Sequence, residues 1–408
     1  DELKMSVKNL LIPMLLITGD VSAASETPEK PPREAPDPLG QFLEHEHIKD
    51  RLSLFTETQY YDWYKKADST EKGVQIVTPV TLTYRYKDFD FGFRRAYIDS
   101  ENKTPSSAGK VSTWSDTALT AAYTFKELEW PVRVSLDYNL PNGKDTLNAD
   151  EKNAIMDSFL VQQTQFGEGE NITPGINVTR AIGDKDTFGA GLSHSIKGEY
   201  DPNSNVVDDV IDNGNETIAT LQWQHNEQIW TVIGGLIATQ YSTTQRNDID
   251  YYKKGNKFDL NLTGIAALPW QQTQGQQLNA TLRLTKQASN ENMNNATSQL
   301  EKEDDNSNGD TAYLSLDWSK NWRQKHTFHI STDYLKIRAN DYLTTHASYD
   351  AGKRKQSYGL GYDYAVSNRS SLSLRAKKFS LKDRAEAATD SDSDYRGQNL
   401  SLNFNYQF

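Results

Sequence analysis

The sequence has no cysteine among its 408 residues. Disulfide frameworks, thiol catalysis and thiolate metal sites are therefore excluded. Hydrophobic residues make up only 36% of the chain, and after residue 24 no apolar run approaches the roughly 18 residues of a membrane helix. The net charge of −12 argues against a nucleic-acid binder, which carries a basic surface. The seven histidines lack metal-ligand spacing, so we predict neither a metal nor a cofactor.

Aromatic residues, in contrast, are abundant, with 21 Tyr and 8 Trp. Low hydropathy combined with many aromatics is typical of a membrane β-barrel. In such a barrel only every second residue of a strand meets lipid, and Tyr and Trp form belts at both interfaces.

Alternation of apolar and polar residues predicts a series of strands from Leu52 onward. In residues 132–139, for example, Val132 and Val134 share one face while Arg133 and Ser135 share the other. About sixteen segments follow this pattern, each long enough for a tilted strand to cross a bilayer. They are 52–64, 74–87, 89–98, 112–125, 130–139, 171–181, 186–197, 216–225, 228–241, 256–268, 276–287, 310–320, 326–338, 355–366, 369–380 and 397–408. The alternation fails at residues 334–337, where we expect a bulge or a strand end.

The connections between these segments alternate strictly between short and long. Long connections lie near 65–73, 99–111, 140–170, 198–215, 242–255, 288–309, 339–354 and 381–396. Outer-membrane barrels have short periplasmic turns and long extracellular loops, whereas a soluble sandwich has no reason to sort its loops in this way. The predicted fold is therefore all-β, an up-and-down antiparallel transmembrane barrel of about 16 strands.

The last segment carries a resemblance to a known class. Apolar residues alternate from Leu400 to the final Phe408, with Tyr406 between them. This ending is similar to the closing strand of Gram-negative outer-membrane barrels, in which Tyr406 and Phe408 would form the signal that the barrel-assembly machinery reads. The resemblance to porin-like barrels covers about residues 50–408 and places no subfamily.

The residues before the barrel predict export. Residues 1–24 combine Lys8, an apolar core from Leu10 and a small-residue end, which is typical of a signal peptide. Residues 25–50 are rich in proline and charge and are predicted to form a periplasmic lead-in, which leaves 51–408 for the barrel. We expect the cell outer membrane as the location.

The longest connection, 140–170, is the first candidate for a functional element. Asn148 and Glu151 have capping-box spacing, and residues 149–159 favour a helix. A loop of this length is usually functional, and trimeric porins are similar in folding their third loop into the lumen. The resemblance implies a pore constriction, with an outward-packed lid or subunit contact as the alternative. The acidic candidates for a constriction are Asp145, Asp150, Glu151, Asp157, Glu168 and Glu170.

A constriction also needs opposing charge. Six basic residues are predicted by alternation to face the lumen, namely Arg85, Arg94, Arg133, Arg283, Arg375 and Lys377. The alternative is that these side chains pair with lumen acids, among them Asp137, Asp317 and Asp363, and simply fill the barrel.

The resemblance implies a porin-like channel for passive diffusion of small solutes, without enzymatic activity. The alternative is a structural or partner-binding barrel with a closed lumen, such as a component of an export or electron-transfer complex. A third hypothesis rests on His329 and Ser331, which are similar to the pair of outer-membrane phospholipases but are predicted to face the lumen. The expected partners are outer-membrane lipid, lipopolysaccharide, the assembly machinery and small solutes, with self-association left open and no nucleic acid.

Overall fold

The computed structural model describes residues 52–202, 209–268, 275–384 and 392–408. The predicted signal peptide and lead-in lie outside these ranges. Among the described residues, no helix is long and apolar enough to cross a membrane.

Sixteen antiparallel strands form one closed barrel. The first eight are β1 (Leu52–Lys65), β2 (Lys72–Tyr86), β3 (Phe89–Lys103), β4 (Thr117–Phe125), β5 (Val132–Leu140), β6 (Asn171–Ile182), β7 (Asp186–Lys197) and β8 (Glu216–Asn226). The remaining eight are β9 (Trp230–Tyr241), β10 (Lys257–Ala267), β11 (Gln276–Gln287), β12 (Thr311–Trp322), β13 (His326–Ile337), β14 (Lys353–Ser367), β15 (Ser370–Asp383) and β16 (Ser393–Gln407). The prediction of an antiparallel barrel with about 16 strands is confirmed.

The barrel closes between its first and last strands. β16 pairs with β1 from Ser53 opposite Gln407 to Lys65 opposite Tyr395, and the amide of Phe408 donates to the carbonyl of Leu52 at 3.0 Å. Closure leaves no open sheet edge, which is what a strand-built structure needs in lipid.

Alternation along each strand separates an outward face from a lumen face. The outward face carries large exposed apolar side chains along most of the barrel, such as Leu236, Ile330 and Leu374. At the end with the short turns, this apolar belt is bordered by aromatic side chains, including Tyr84, Phe89, Trp130, Trp230, Trp322 and Phe328. A continuous apolar belt with an aromatic border is the surface that a membrane barrel presents to lipid.

The connections divide the barrel into two ends. At one end, here called the short-turn end, the strands are joined by 87–88, 126–131, 183–185, 227–229, 268–275, 323–325 and 368–369. At the other, the long-loop end, they are joined by 66–71, 104–116, 141–170, 198–215, 242–256, 288–310, 338–352 and 384–392. The predicted parity of loop lengths holds around the barrel, except that 66–71 at the long-loop end is no longer than 126–131 and is shorter than 268–275 at the short-turn end.

Three long loops also form a second sheet of six short strands. Its order is Gln299–Lys302, Glu291–Asn294, Ile249–Lys253, Thr243–Arg246, Ile211–Asp212 and Glu199–Tyr200. Burial raises the pKa of Tyr200 in this sheet to about 12. This sheet extends the wall beyond the barrel at the long-loop end.

One local prediction was wrong, and another holds in one of its two forms. The single strand predicted for 112–125 is divided, because Ala108–Trp114 pairs with the far half of β3 and Thr117–Phe125 pairs with its near half. Of the bulge or strand end expected at 334–337, the bulge is absent, since β13 keeps its register with β14 from His326 to Lys336, and the strand ends at Ile337. The alternation fails there for a different reason, which the lumen explains.

Candidate functional site: a loop inside the barrel lumen

The long loop of residues 141–170, called the lumen loop from here on, lies inside the barrel. Trp63 occupies the lumen face of β1, and its indole N–H donates to the Sδ of Met156 in the loop at 3.1 Å. Gln75 on β2 exchanges two hydrogen bonds with the backbone of Gln163, at 2.7 and 2.9 Å. Because both partners project from the lumen wall, the loop must fold inward rather than over the outside.

Apolar packing holds the lumen loop in this position. One buried cluster contains Trp63, Met156, Phe159, Leu160, Val161, Leu335, Phe379 and Leu381. A second contains Val77, Ala96, Ile98, Val111, Leu147, Ala154 and Phe166. Full burial of each such side chain contributes about 1.5–3 kcal/mol, so the two clusters favour one docked position of the loop.

These contacts explain why the alternation fails at residues 334–337. Leu335 is buried on the lumen face against the loop, and Ile337 packs beside it. Tyr334 and Lys336 take the outward positions. The strand is regular, and its lumen face turns apolar because it meets protein there instead of water.

The neck of the lumen loop is held by Asp116, which the sequence analysis did not single out. Its carboxylate accepts hydrogen bonds from the amides of Gly143 at 2.6 Å and Glu168 at 2.7 Å. It also accepts from the side-chain amide of Asn139 at 3.0 Å. One buried carboxylate therefore joins the start of the loop to its end. Asp116 lies between Ala108–Trp114 and Thr117–Phe125, and no sequence signal marked it because it falls inside the single strand predicted for 112–125.

The helix in the lumen loop is shorter than predicted. Only Ala149–Lys152 form a helix, here α1, whose N-terminus carries the predicted capping box between Asn148 and Glu151. The prediction of helix beyond residue 152 was wrong. Met156, Phe159 and Leu160 instead enter one apolar cluster, while Ile155 packs against the other, and this division pulls the chain out of helical geometry.

The acidic candidates occupy separate places along the loop. Asp157 reaches the wall, where it lies 3.2 Å from Lys353 on β14. Glu151 pairs with Lys144 within the loop at 2.8 Å. Although burial raises the pKa of Glu151, the Lys144 hydrogen bond and the capping amide of Asn148 bring it below its usual range. Asp150 lies exposed in the first turn of α1.

The other three acidic candidates lie near the two ends of the loop. Asp145 accepts a hydrogen bond from the hydroxyl of Thr146 at 3.3 Å, and Glu168 donates its amide to Asp116. Glu170 is exposed and accepts the hydroxyl of Tyr138 at 2.5 Å. Tyr138 belongs to the outward set of β5, so this pair lies on the outer side. The six acids therefore do not form one continuous surface.

Each basic candidate lies on the lumen face of its strand. Arg85 and Arg133 both contact Asp90. Arg283 donates to the side-chain oxygen of Asn261 at 2.7 Å. Arg94 lies on β3 opposite Thr81 and Ala118.

Arg375 and Lys377 belong to a polar network across β12–β15. Arg375 donates to Asp363 at 3.0 Å, and Lys377 lies 3.0 Å from Asp333. His329 joins the network, with its Nδ1 3.0 Å from Asp317 and its Nε2 2.8 Å from Asp363. This pairing of lumen charges is the alternative that the sequence left open.

The same contacts bear on the phospholipase hypothesis. His329 lies on the lumen face, as expected from the alternation, and Ser331 lies on that face two residues later. Both ring nitrogens of His329 are within hydrogen-bond distance of carboxylates, so neither is directed at Ser331. A nucleophile needs a base within hydrogen-bond reach, and this geometry does not supply one.

A second residue missed by the sequence analysis is Lys353. Its ammonium lies between Asp157 of the loop and Asp383 of β15, at 3.2 and 2.8 Å, and 5.5 Å from the centre of the Phe159 ring. It joins loop and wall electrostatically at the rim of the apolar cluster. Parity with the lumen residues Lys355 and Ser357 could have placed it inside, but the loop contact depends on the fold.

Together, the outward apolar belt, the sixteen closed strands and the inward loop define an outer-membrane-type β-barrel, with no subfamily placed. No protein-family model and no curated protein matches the sequence.

Several solved structures are similar in fold to the chain. Pseudomonas putida OprB is 10% identical, with a TM-score of 0.49 over 88% of this chain and 94% of that one. Pseudomonas aeruginosa OpdQ is 11% identical, with a TM-score of 0.43 over 88% and 100%. Acinetobacter baumannii OccAB4 is 8% identical, with a TM-score of 0.43 over 89% and 99%. At such identities the likeness concerns the fold.

Proposed function

We propose that the chain is an outer-membrane channel for passive diffusion of small polar solutes, with the lumen loop as its constriction. The observation that carries this proposal is the docked position of the loop inside a barrel of sixteen strands, a size that leaves room for an aqueous lumen. Trp63 and Gln75 hold the loop against one side of the lumen.

Water access to the lumen beyond the loop supports the same proposal. Arg85 exposes 37% of its side chain and Arg375 exposes 23%, although both lie on the lumen face. Charges paired with carboxylates in a wet lumen favour polar solutes and can bias ion selectivity. The acid on the loop and the bases on the wall contribute to this selectivity.

A closed structural barrel is the second candidate, and a specific observation favours it. The loop buries two apolar clusters, and most of the predicted lumen cations already have acidic or amide partners. A lumen filled in this way would serve as a sheath or a docking platform for a partner. Export through residues 1–24 and assembly through Tyr406 and Phe408 belong to both proposals.

Single-channel conductance in a planar bilayer tests the two candidates. The refolded protein is compared with a variant lacking 145–168 and with a control lacking 342–347, an outer loop segment in which Leu343 is 74% exposed. A steady conductance that rises only on the first deletion supports a pore constricted by the lumen loop.

Two other outcomes are informative. Conductance that appears only after the first deletion would indicate that the loop is a closed lid. Opening of the channel would then require a gating step or a partner. If none of the three proteins conducts, the channel proposal is contradicted, and the closed structural barrel is the remaining candidate.

A further inference from the structure

The outward face of β13–β16 carries a group of cations at the long-loop end, called the cationic patch. Four of its members are exposed, namely Lys336, Arg354, Lys378 and Arg396, and Lys382 lies among them. All five share the outward face, because they alternate with lumen residues such as Leu335 and Lys377. The patch therefore spans four neighbouring strands at the edge of the apolar belt.

The register places like charges side by side. Lys336 is directly opposite Arg354, and Arg354 is directly opposite Lys382, so three cations occupy one row across three strands. Directly opposite residues in an antiparallel pair have Cα atoms about 5 Å apart, and like charges there are destabilising. Such a row becomes favourable when an anion is bound over it.

Among the described residues, acidic side chains neutralise the cationic patch only in part. Lys382 lies 2.8 Å from Asp392, and Asp394 is its register neighbour on β16. Within the described residues, no carboxylate lies at ion-pair distance from the four exposed cations. This cationic surface stands out on a chain whose net charge is −12.

Directly beside the patch, toward the short-turn end, the outward face becomes apolar. Tyr358 and Leu360 on β14 are 66% and 65% exposed, and Leu374 and Leu400 continue this surface on β15 and β16. Cations above an exposed apolar strip match an amphiphile with an anionic headgroup and acyl chains.

We propose that the cationic patch binds the phosphates of a bis-phosphorylated glycolipid of the outer leaflet, whose acyl chains lie along the strip below. Arg354 supplies a planar donor fork and Lys378 a point charge, the two forms in which proteins hold phosphate. The inference rests on the proposed outer-membrane location, since only there does the long-loop end meet such a lipid.

Binding of purified lipid A to the full, refolded protein in detergent tests the proposal, with native mass spectrometry as the readout. The double variant R354Q/K378Q is compared with K325Q/R369Q, which removes one Lys and one Arg from exposed positions at the short-turn end. We expect the patch variant to lose about tenfold or more in affinity, because charge-assisted contacts to phosphate are lost, and the control to stay within twofold. K336Q/R396Q repeats the test with independent positions.

Two ligand arms separate the sources of binding. Lipid A stripped of its phosphates should bind as weakly as the patch variant does, and inorganic phosphate in large excess should displace little lipid. Equal binding by wild type and both patch variants, an equal loss in the control, or ready displacement by inorganic phosphate would overturn the proposal. Channel conductance should be the same in R354Q/K378Q and wild type, so a failure here is distinct from a failure of the channel.

Discussion

The lumen face differs between the two ends of the barrel, although the same strands form both ends. Near the long loops, the lumen face of β1–β3 and β13–β15 carries apolar side chains, as in Trp63, Ile98 and Leu381, and they bury the lumen loop. Toward the short turns, lumen positions carry paired charges, as in Arg85 with Asp90 and Arg375 with Asp363, which keep partial exposure. One strand face can thus change from dry packing to a wet surface within a few residues, depending on what fills the space in front of it.

The largest effect on conductance is expected from removing side chains of the apolar cluster that holds the lumen loop. F159A/L381A removes two nearly fully buried side chains from one cluster, and each such truncation costs about 2–5 kcal/mol. The cost falls on loop docking, because the barrel keeps its hydrogen-bonded ladder. We expect higher single-channel conductance and faster protease cleavage within 141–170.

The matched control for this pair is L374A, which lies on the outward face of the same strand as Leu381. It removes the same atoms from a position that meets lipid, so it should leave conductance and loop cleavage unchanged. Equal effects of L374A and F159A/L381A would show that the loop is not held by the lumen cluster.

The next effect concerns the neck of the lumen loop. D116A leaves the amides of Gly143 and Glu168 without their acceptor, at a cost of about 3 kcal/mol in total for the unsatisfied donors. The loop ends should separate, which would increase hydrogen exchange at both amides and make the conductance noisy. D184A, at an exposed turn, is the control. Unchanged exchange at Gly143 and Glu168 in D116A would contradict the assigned role of Asp116.

Substitutions of charged lumen residues near the short turns should change the ion selectivity of the channel and not the position of the lumen loop. R375Q removes a positive charge from the lumen and leaves Asp363 with His329 as its partner. We expect the reversal potential in a salt gradient to move toward cation selectivity, with no change in loop cleavage. K378Q, the next residue but two on the same strand, faces outward and should not move it. A shift of the same size in K378Q would place the selectivity outside the lumen.

The sequence predicts the barrel far better than it predicts the lumen. Strand periodicity and loop parity are local and recur along the chain, so the number and order of the strands follow from the pattern, whereas the end of β3 and the division of 112–125 do not. The contacts of Asp116, Lys353 and Gln75 join residues far apart in the chain, and no local pattern records them. The failed alternation at 334–337 did carry information, because an apolar lumen position such as Leu335 indicates that protein fills the lumen there.

The smallest effect is expected at α1, the short helix inside the lumen loop. N148A removes the side chain that caps α1, which costs about 1 kcal/mol, or roughly fivefold in the opening equilibrium of that segment. The contribution of Glu151 adds a pH dependence. Its pKa lies below the usual value, so its stabilisation is present above that usual value and is lost as the pH falls through the lowered pKa. Hydrogen exchange of α1 should therefore be less protected in N148A than in wild type at every pH, because only the Asn148 side chain is lost. Protection should fall in acid in both proteins, because both keep the backbone amide of residue 148 that the Glu151 carboxylate accepts from. N368A, in an exposed short turn, should be protected like wild type, and protection of α1 that does not fall in acid in either protein would mean that Glu151 does not contribute to the cap.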